Sequence, residues 1–167
     1  MGSEVVDQIG RDGTLISDVD TSLSLRQKRR LLLEALPGAQ VEHYADRDVV
    51  RFADQVILAK QVTHLGRPWP AFKKRIQIPR YWLEVERQGR IDGLTVRFIG
   101  IYHYGETTIF VDFDPTSYTT RKANNSAAHV STNDLFQAQT LGQFSRLDRR
   151  GNRLTSCLLY TSPSPRD

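Results

Sequence analysis

The stretch from Leu94 to Asp114 constrains this chain more than any other. Two runs rich in β-branched and aromatic residues, Leu94 to Tyr104 and Thr107 to Asp114, flank Gly105-Glu106. A two-residue connection with glycine first suits a type II′ turn, whose twist matches that of the paired strands. The pattern predicts an antiparallel hairpin, closed after Asp114 because Pro115 has no N–H for a ladder.

The rest of the chain supplies partners for that hairpin. Ser24 and Gln27 have the spacing of a capping box, and Leu25, Leu32, Leu33 and Leu36 follow as one apolar stripe that Pro37-Gly38 ends. Short β-rich runs follow at 39–44, 49–53 and 55–62. Residues 65–70 carry Pro68 and Pro70 and form neither helix nor strand. Periodicity leaves 81–88 open between helix and strand. A polar loop over 116–125 leads to a helix expected over 132–144. A turn at 149–152 then enters a last strand. Residues 1–22, acidic and weakly periodic, read as a flexible arm. The expected fold is mixed α+β: one domain over 23–156 with a central mixed or antiparallel sheet, the 94–114 hairpin within it and helices flanking it.

Residues Cys157 to Asp167 resemble a translated sequencing adapter and are expected to be non-native. The native segment would then be a fragment, incomplete at its C-terminus. Cys157 is the only cysteine, so the preceding segment offers no disulfide, cysteine zinc site or thiol nucleophile. No run approaches the ~18 apolar residues of a membrane helix, and the start lacks a signal-peptide layout. A cytoplasmic location is expected.

Charge is unevenly placed. The net value of +4 combines a strongly acidic start, with Glu4, Asp7, Asp12, Asp18 and Asp20 against Arg11, and a basic remainder. From Gln55 to Leu83 there is no acid, against Lys60, Arg67, Lys73, Lys74, Arg75 and Arg80. One-sided positive charge suits a polyanion, because each neutralised phosphate releases counterions. Aromatics interleave with it. Trp69, Phe72, Tyr81 and Trp82 can stack on bases or fill a core, while Arg67, Lys73, Lys74, Arg75 and Arg80 can fork onto phosphates or guanine.

A second constellation lies at the hairpin's end. Strand alternation puts Phe110, Asp112 and Asp114 on one face, with the two carboxylates about 7 Å apart. Such a pair can converge on Mg²⁺, which takes oxygen ligands and serves phosphodiester hydrolysis; a solvated strand end is the plain alternative. Lys122 can stabilise a developing charge, and Asn124, Asn125 and Ser126 suit base edges or phosphates. His129 can act as acid/base or cap the next helix. His103 reads as structural.

The leading helix, the basic Gly66-Arg67-Pro68-Trp69-Pro70 loop with Phe72 to Arg75, and the strand ending Ile109-Phe-Val-Asp-Phe-Asp114 resemble a type II restriction endonuclease of the PD-(D/E)xK superfamily. The segment Lys122 to His129 adds to the likeness. The resemblance implies a Mg²⁺-dependent enzyme cutting double-stranded DNA, often as a homodimer. It departs at the defining motif. Lysines 28, 60, 73, 74 and 122 are preceded at two residues by Arg26, Leu58, Ala71, Phe72 and Thr120, never by a carboxylate. Three readings stay open: a DNA endonuclease with Asp112, Asp114, Lys122 and His129 as catalytic residues, a non-catalytic nucleic-acid-binding module, and an interaction domain whose basic face serves solubility. A restriction enzyme would be expected beside a DNA methyltransferase.

Overall fold

The computed structural model describes residues 5–66, 68–118, 125–148, 151 and 153–157. Within the segment expected as a flexible arm, β1 (Val5–Ile9) and β2 (Leu15–Val19) form an antiparallel hairpin. Helix α1 (Leu25–Ala35) follows with both halves of the capping box made. The Gln27 N–H donates to Ser24 Oγ at 3.1 Å, and the Ser24 N–H donates to Gln27 Oε1 at 2.8 Å. Leu32 and Leu36 of the apolar stripe are buried, whereas Leu25, at the helix start, is exposed.

Strands β3 (Gln40–Tyr44), β4 (Arg47–Phe52) and β5 (Gln55–Gln61) form an antiparallel meander. A short β6 (Thr63–His64) and β7 (Lys73–Pro79) bracket the proline-containing loop. The segment left open by periodicity is helical, α2 (Arg80–Ile91), burying Trp82 and Val85. Strands β8 (Thr95–Tyr104) and β9 (Thr107–Phe113) form the expected hairpin, with Gly105 at φ 56° in its turn. A 3-10 turn, Pro115–Ser117, ends it.

The next segment corrects the sequence reading. Residues expected as loop and helix cap form β10 (Asn125–Ser131), with Ser126, Ala128 and Val130 turned inward. That is a two-residue period, too short in sequence to stand out from a polar loop. Ser131, not His129, caps α3 (Thr132–Leu141), which stops before Gly142 at φ 87°. Strand β11 (Gln143–Leu147) takes the residues expected at the helix end, and β12 (Arg153–Cys157) is the expected last strand. The buried Cys157 thiol lies 3.7 Å from the Phe110 carbonyl oxygen; residues 158–167 fall outside the described ones.

The fold is mixed α+β, as expected. A seven-stranded sheet runs β11-β12-β9-β8-β5-β4-β3, with β5 and β8 parallel and its other pairs antiparallel. Its central strand β8 is buried on both faces. Ile99 and Ile101 pack with Leu32 and Leu36 of α1 on one face. Phe98 and Tyr102 pack on the other, with Trp82 of α2, Ile76 and Ile78 of β7, and Leu135 of α3. The small antiparallel sheet β10-β7-β6 lies over this second face. Gly100 permits that close approach: a Cβ there would stand 2.7 Å from Val62 Cγ2 and 3.3 Å from Ile76 Cγ2.

A buried polar network joins these layers. Asp20 lies just past β2 and accepts from Gln8 Nε2 at 3.0 Å through Oδ1 and from the His64 N–H at 2.8 Å through Oδ2. The Tyr102 hydroxyl donates to Gln8 Oε1 at 2.6 Å and accepts from the Ile9 N–H at 2.8 Å. Into this network points Lys74, wholly buried, its Nζ 3.7 Å from Asp20 Oδ1 and 5.7 Å from the Tyr102 ring centre. The separation is that of an ion pair rather than a hydrogen bond. Burial lowers the Lys74 pKa, and Asp20 and Asp7 act against that shift. Asp20→Ala would strand the ammonium and the His64 N–H, with an expected loss of about 3–5 kcal/mol in urea unfolding. Lys74→Met, which removes the charge and keeps the volume, should be near neutral or stabilising. Equal losses in the two variants would contradict this account.

Candidate functional site

Strand alternation divides the basic triplet of β7. Lys74, Ile76 and Ile78 face the core, while Lys73, Arg75 and Gln77 face out. Strand β10 continues both faces. Ser131 pairs with Lys73, His129 with Arg75 and Ala127 with Gln77 on the outward side, and Thr63 of β6 flanks Arg75. None of the described outward residues of β6, β7 and β10 is a carboxylate. Lys74, expected as a nucleic-acid contact, is therefore corrected to a core residue. Ser126, expected at base edges, is also corrected: it is buried and faces inward beside Ile78.

The loop before β7 is held by His64. The Gly66 N–H donates to its Nδ1 at 2.9 Å, which leaves Nε2 to donate to the Pro70 carbonyl at 2.8 Å. Both bonds together require the neutral Nε2–H tautomer. Past this clamp the Phe72 carbonyl accepts from the Thr132 N–H at 2.9 Å, fixing the loop's end to α3. Trp69 and Phe72 remain 48% and 47% exposed. Lys73 Nζ stands 5.2 Å over the Trp69 ring, within cation–π range. Trp82, the fourth aromatic of this stretch, is core and packs tilted against Phe98 with ring centres 5.1 Å apart. Tyr81 is half-buried under the Arg47 guanidinium at 4.2 Å, and Arg80 is exposed in the first turn of α2.

Beside the outward face lies a cavity of about 390 Å³ between β7, β10, the end of β9 and the β11–β12 hairpin. Lys73, Asp114 and His129 line it, joined by Arg146, Asp148 and Arg153, which sequence reasoning did not single out. Arg146 is anchored by a two-point contact with the buried Asp134, Nε to Oδ1 at 2.6 Å and Nη2 to Oδ2 at 2.9 Å. That contact holds the Arg146 pKa above its usual value. Asp134 also accepts from the Ser131 N–H at 2.8 Å, so one carboxylate ties β11 to the start of α3.

Asp112 and Asp114 have different surroundings. Asp114 Oδ1 accepts from the Thr116 N–H at 3.0 Å and from its hydroxyl at 2.8 Å, capping the 3-10 turn. Asp112 lies on the α1 side of the large sheet, where Arg97 Nη1 is 3.9 Å from its Oδ2. The two-residue turn made this arginine findable: counting back along the hairpin from Tyr104↔Thr107 puts Ile99 opposite Asp112, and two residues further Arg97. Burial pushes the Asp112 pKa up to about 6; Arg97 pulls it down and Asp114 adds to the rise. No group of three or more metal-ligating side chains occurs among the described residues. Asn125 opens β10 opposite Pro79. Arg67, Lys122 and Asn124 lie outside the described residues.

One family model matches this chain, over residues 53–158, under the description Methylase-associated X1. The chain belongs to that family. Methylase-associated X1 is linked to restriction–modification systems. The matched stretch of this family holds β5 to β12, and with them the outward face, the cavity and both carboxylates. It leaves α1 and the first hairpin outside. No curated protein and no solved structure matches the chain. No helix among the described residues is long and apolar enough to cross a membrane.

The raised Asp112 pKa has a signed consequence. Between pH ~4 and ~6 the folded state keeps a proton that the unfolded state releases. The stability this proton contributes is present below pH ~4 and lost as pH rises through about 6. The Asp112→Asn variant cannot titrate there. Its stability relative to the parent should rise by about 2–3 kcal/mol from pH 4 to pH 7 in denaturant titrations. A pH-independent difference would contradict the shift.

Proposed function

We propose that this Methylase-associated X1 chain is a nucleic-acid-binding domain of a restriction–modification system and grips double-stranded DNA with the outward face of its small sheet. One observation carries the reading: the division of charge across β7. Asp20 pairs the inward Lys74, whereas Lys73 and Arg75 face out beside His129 on strands whose described outward residues include no carboxylate, with Asp114 and Asp148 in the cavity at their side. A face of cations and neutral polar groups selects a polyanion. Trp69 and Phe72 add exposed ring surface at its edge, suited to stacking on bases or sugars.

Fluorescence anisotropy with a duplex across a salt series tests this reading. Lys73→Gln and Arg75→Gln should each weaken binding and flatten the log–log salt slope by about 0.9. Lys74→Met, a change in the same triplet, should leave the slope as it was. Absence of binding at low salt would end the proposal.

Cleavage is the second reading, favoured by the mutual repulsion of Asp112 and Asp114 that helps raise the Asp112 pKa. A Mg²⁺ ion held between the two carboxylates would relieve it; His129 faces outward from β10 over the other face of the large sheet and takes no part on this reading. On this reading Mg²⁺ supports nicking of plasmid DNA, and Asp112→Asn abolishes the nicking while sparing binding. Undiminished nicking by that variant would exclude the assignment.

A further inference from the structure

A second pocket, of about 250 Å³, opens where α1, β5 and β7 meet. Three cations line it from three separate elements: Lys28 of α1, Lys60 of β5 and Arg75 of β7. Gln61, Thr63 and Gln77 complete its polar wall, and no carboxylate lines it. Among the described residues the other half-buried or buried cations are matched by carboxylates, except Lys73, which stands over the Trp69 ring. Arg29 has Asp48, Arg51 has Glu42, Lys74 has Asp20, Arg97 has Asp112 and Arg146 has Asp134. Lys28, Lys60 and Arg75 have no such partner among the described residues.

We infer that this pocket is a phosphate-binding subsite, in which Lys28, Lys60 and Arg75 together seat one phosphate group at the edge of the outward face. The inference deepens the DNA-binding reading, since Arg75 belongs to both. Two ammonium groups and a forked guanidinium supply charge-assisted donors to several oxygens of one tetrahedral anion. The Thr63 hydroxyl and the Gln77 amide make no hydrogen bond among the described residues and add neutral donors. Gln61 has a different task. Its Oε1 accepts from the Leu23 N–H at 2.8 Å and its amide donates to the Thr21 carbonyl at 2.6 Å, so it fixes the segment leading into α1. Like charges face one another in the pocket: the Lys60 pKa is lowered by burial and further by Lys28. An oxyanion removes that repulsion. The phosphate can be a backbone diester of DNA or a monoester, terminal or free.

Calorimetric titration of the full chain with inorganic phosphate, against chloride at matched ionic strength, tests the subsite. Phosphate should bind, and Lys28→Gln and Lys60→Gln should each weaken it about tenfold, while Arg87→Gln, at an exposed position of α2 outside the pocket, leaves it unchanged. Binding no stronger than that of chloride, or insensitive to both substitutions, overturns the inference. Circular dichroism checks that the variants fold. Duplexes with and without 5′-phosphates then separate the sources. A Lys60→Gln salt slope flattened by about 0.9 on both duplexes assigns the subsite to the backbone, and a loss confined to the 5′-phosphorylated duplex assigns it to a terminal monoester. Phosphate binding without DNA binding upholds the subsite and ends the DNA reading. DNA binding with an unchanged Lys60→Gln slope and no phosphate binding does the reverse.

Discussion

The polar network around Asp20 is the contact on which the arrangement of layers depends. Its members come from five places in the chain: Gln8, Asp20, His64, Lys74 and Tyr102. Apolar packing is permissive about how two layers slide over each other. A buried ammonium is not, because it needs its carboxylate within a few ångströms. The first hairpin, the small sheet and the central strand β8 therefore have one mutual position in which Lys74, the Gln8 amide and the Tyr102 hydroxyl are all accommodated. The loop that carries Trp69 inherits that position, since its clamp, His64, is bonded through its own N–H to Asp20.

Local signals in the sequence were read well where the partner is also local. The capping box of Ser24 and Gln27 and the Gly105-Glu106 hairpin involve neighbours a few residues apart, so spacing alone identifies them. The N-terminal hairpin was missed for the opposite reason. Its acids looked like a solvated arm because their partners lie far away: Asp18 accepts from Tyr104, and Asp20 meets Gln8, His64 and Lys74. Strand β10 was missed because its alternation spans few residues and its pairing with β7 is non-local.

The candidate site was legible by region and only partly by residue. Net charge located the basic stretch, but the period of two along β7 decides which of its cations face solvent. Likewise Asp112 and Asp114 share a strand face by counting, yet one is paired with Arg97 and the other caps a turn. The cations of the second pocket were out of reach, since Lys28, Lys60 and Arg75 are brought together by the packing of three elements and no spacing announces it.

The inward Lys74 also acts as a ratchet against slippage. Side chains of a strand change faces with every one-residue shift, so a slipped β7 would bury Lys73 and Arg75 and expose Lys74, Ile76 and Ile78. In an ordinary amphipathic strand such an error costs apolar burial alone. Here it would place two cations beside Asp20, the carboxylate that now pairs Lys74 alone, and would leave the outer face one cation in place of two. The pairing that hides one lysine is thus the same pairing that presents its two neighbours. A purely apolar residue at position 74 would leave the fold and the outer face in place and remove only the added penalty on the slipped register.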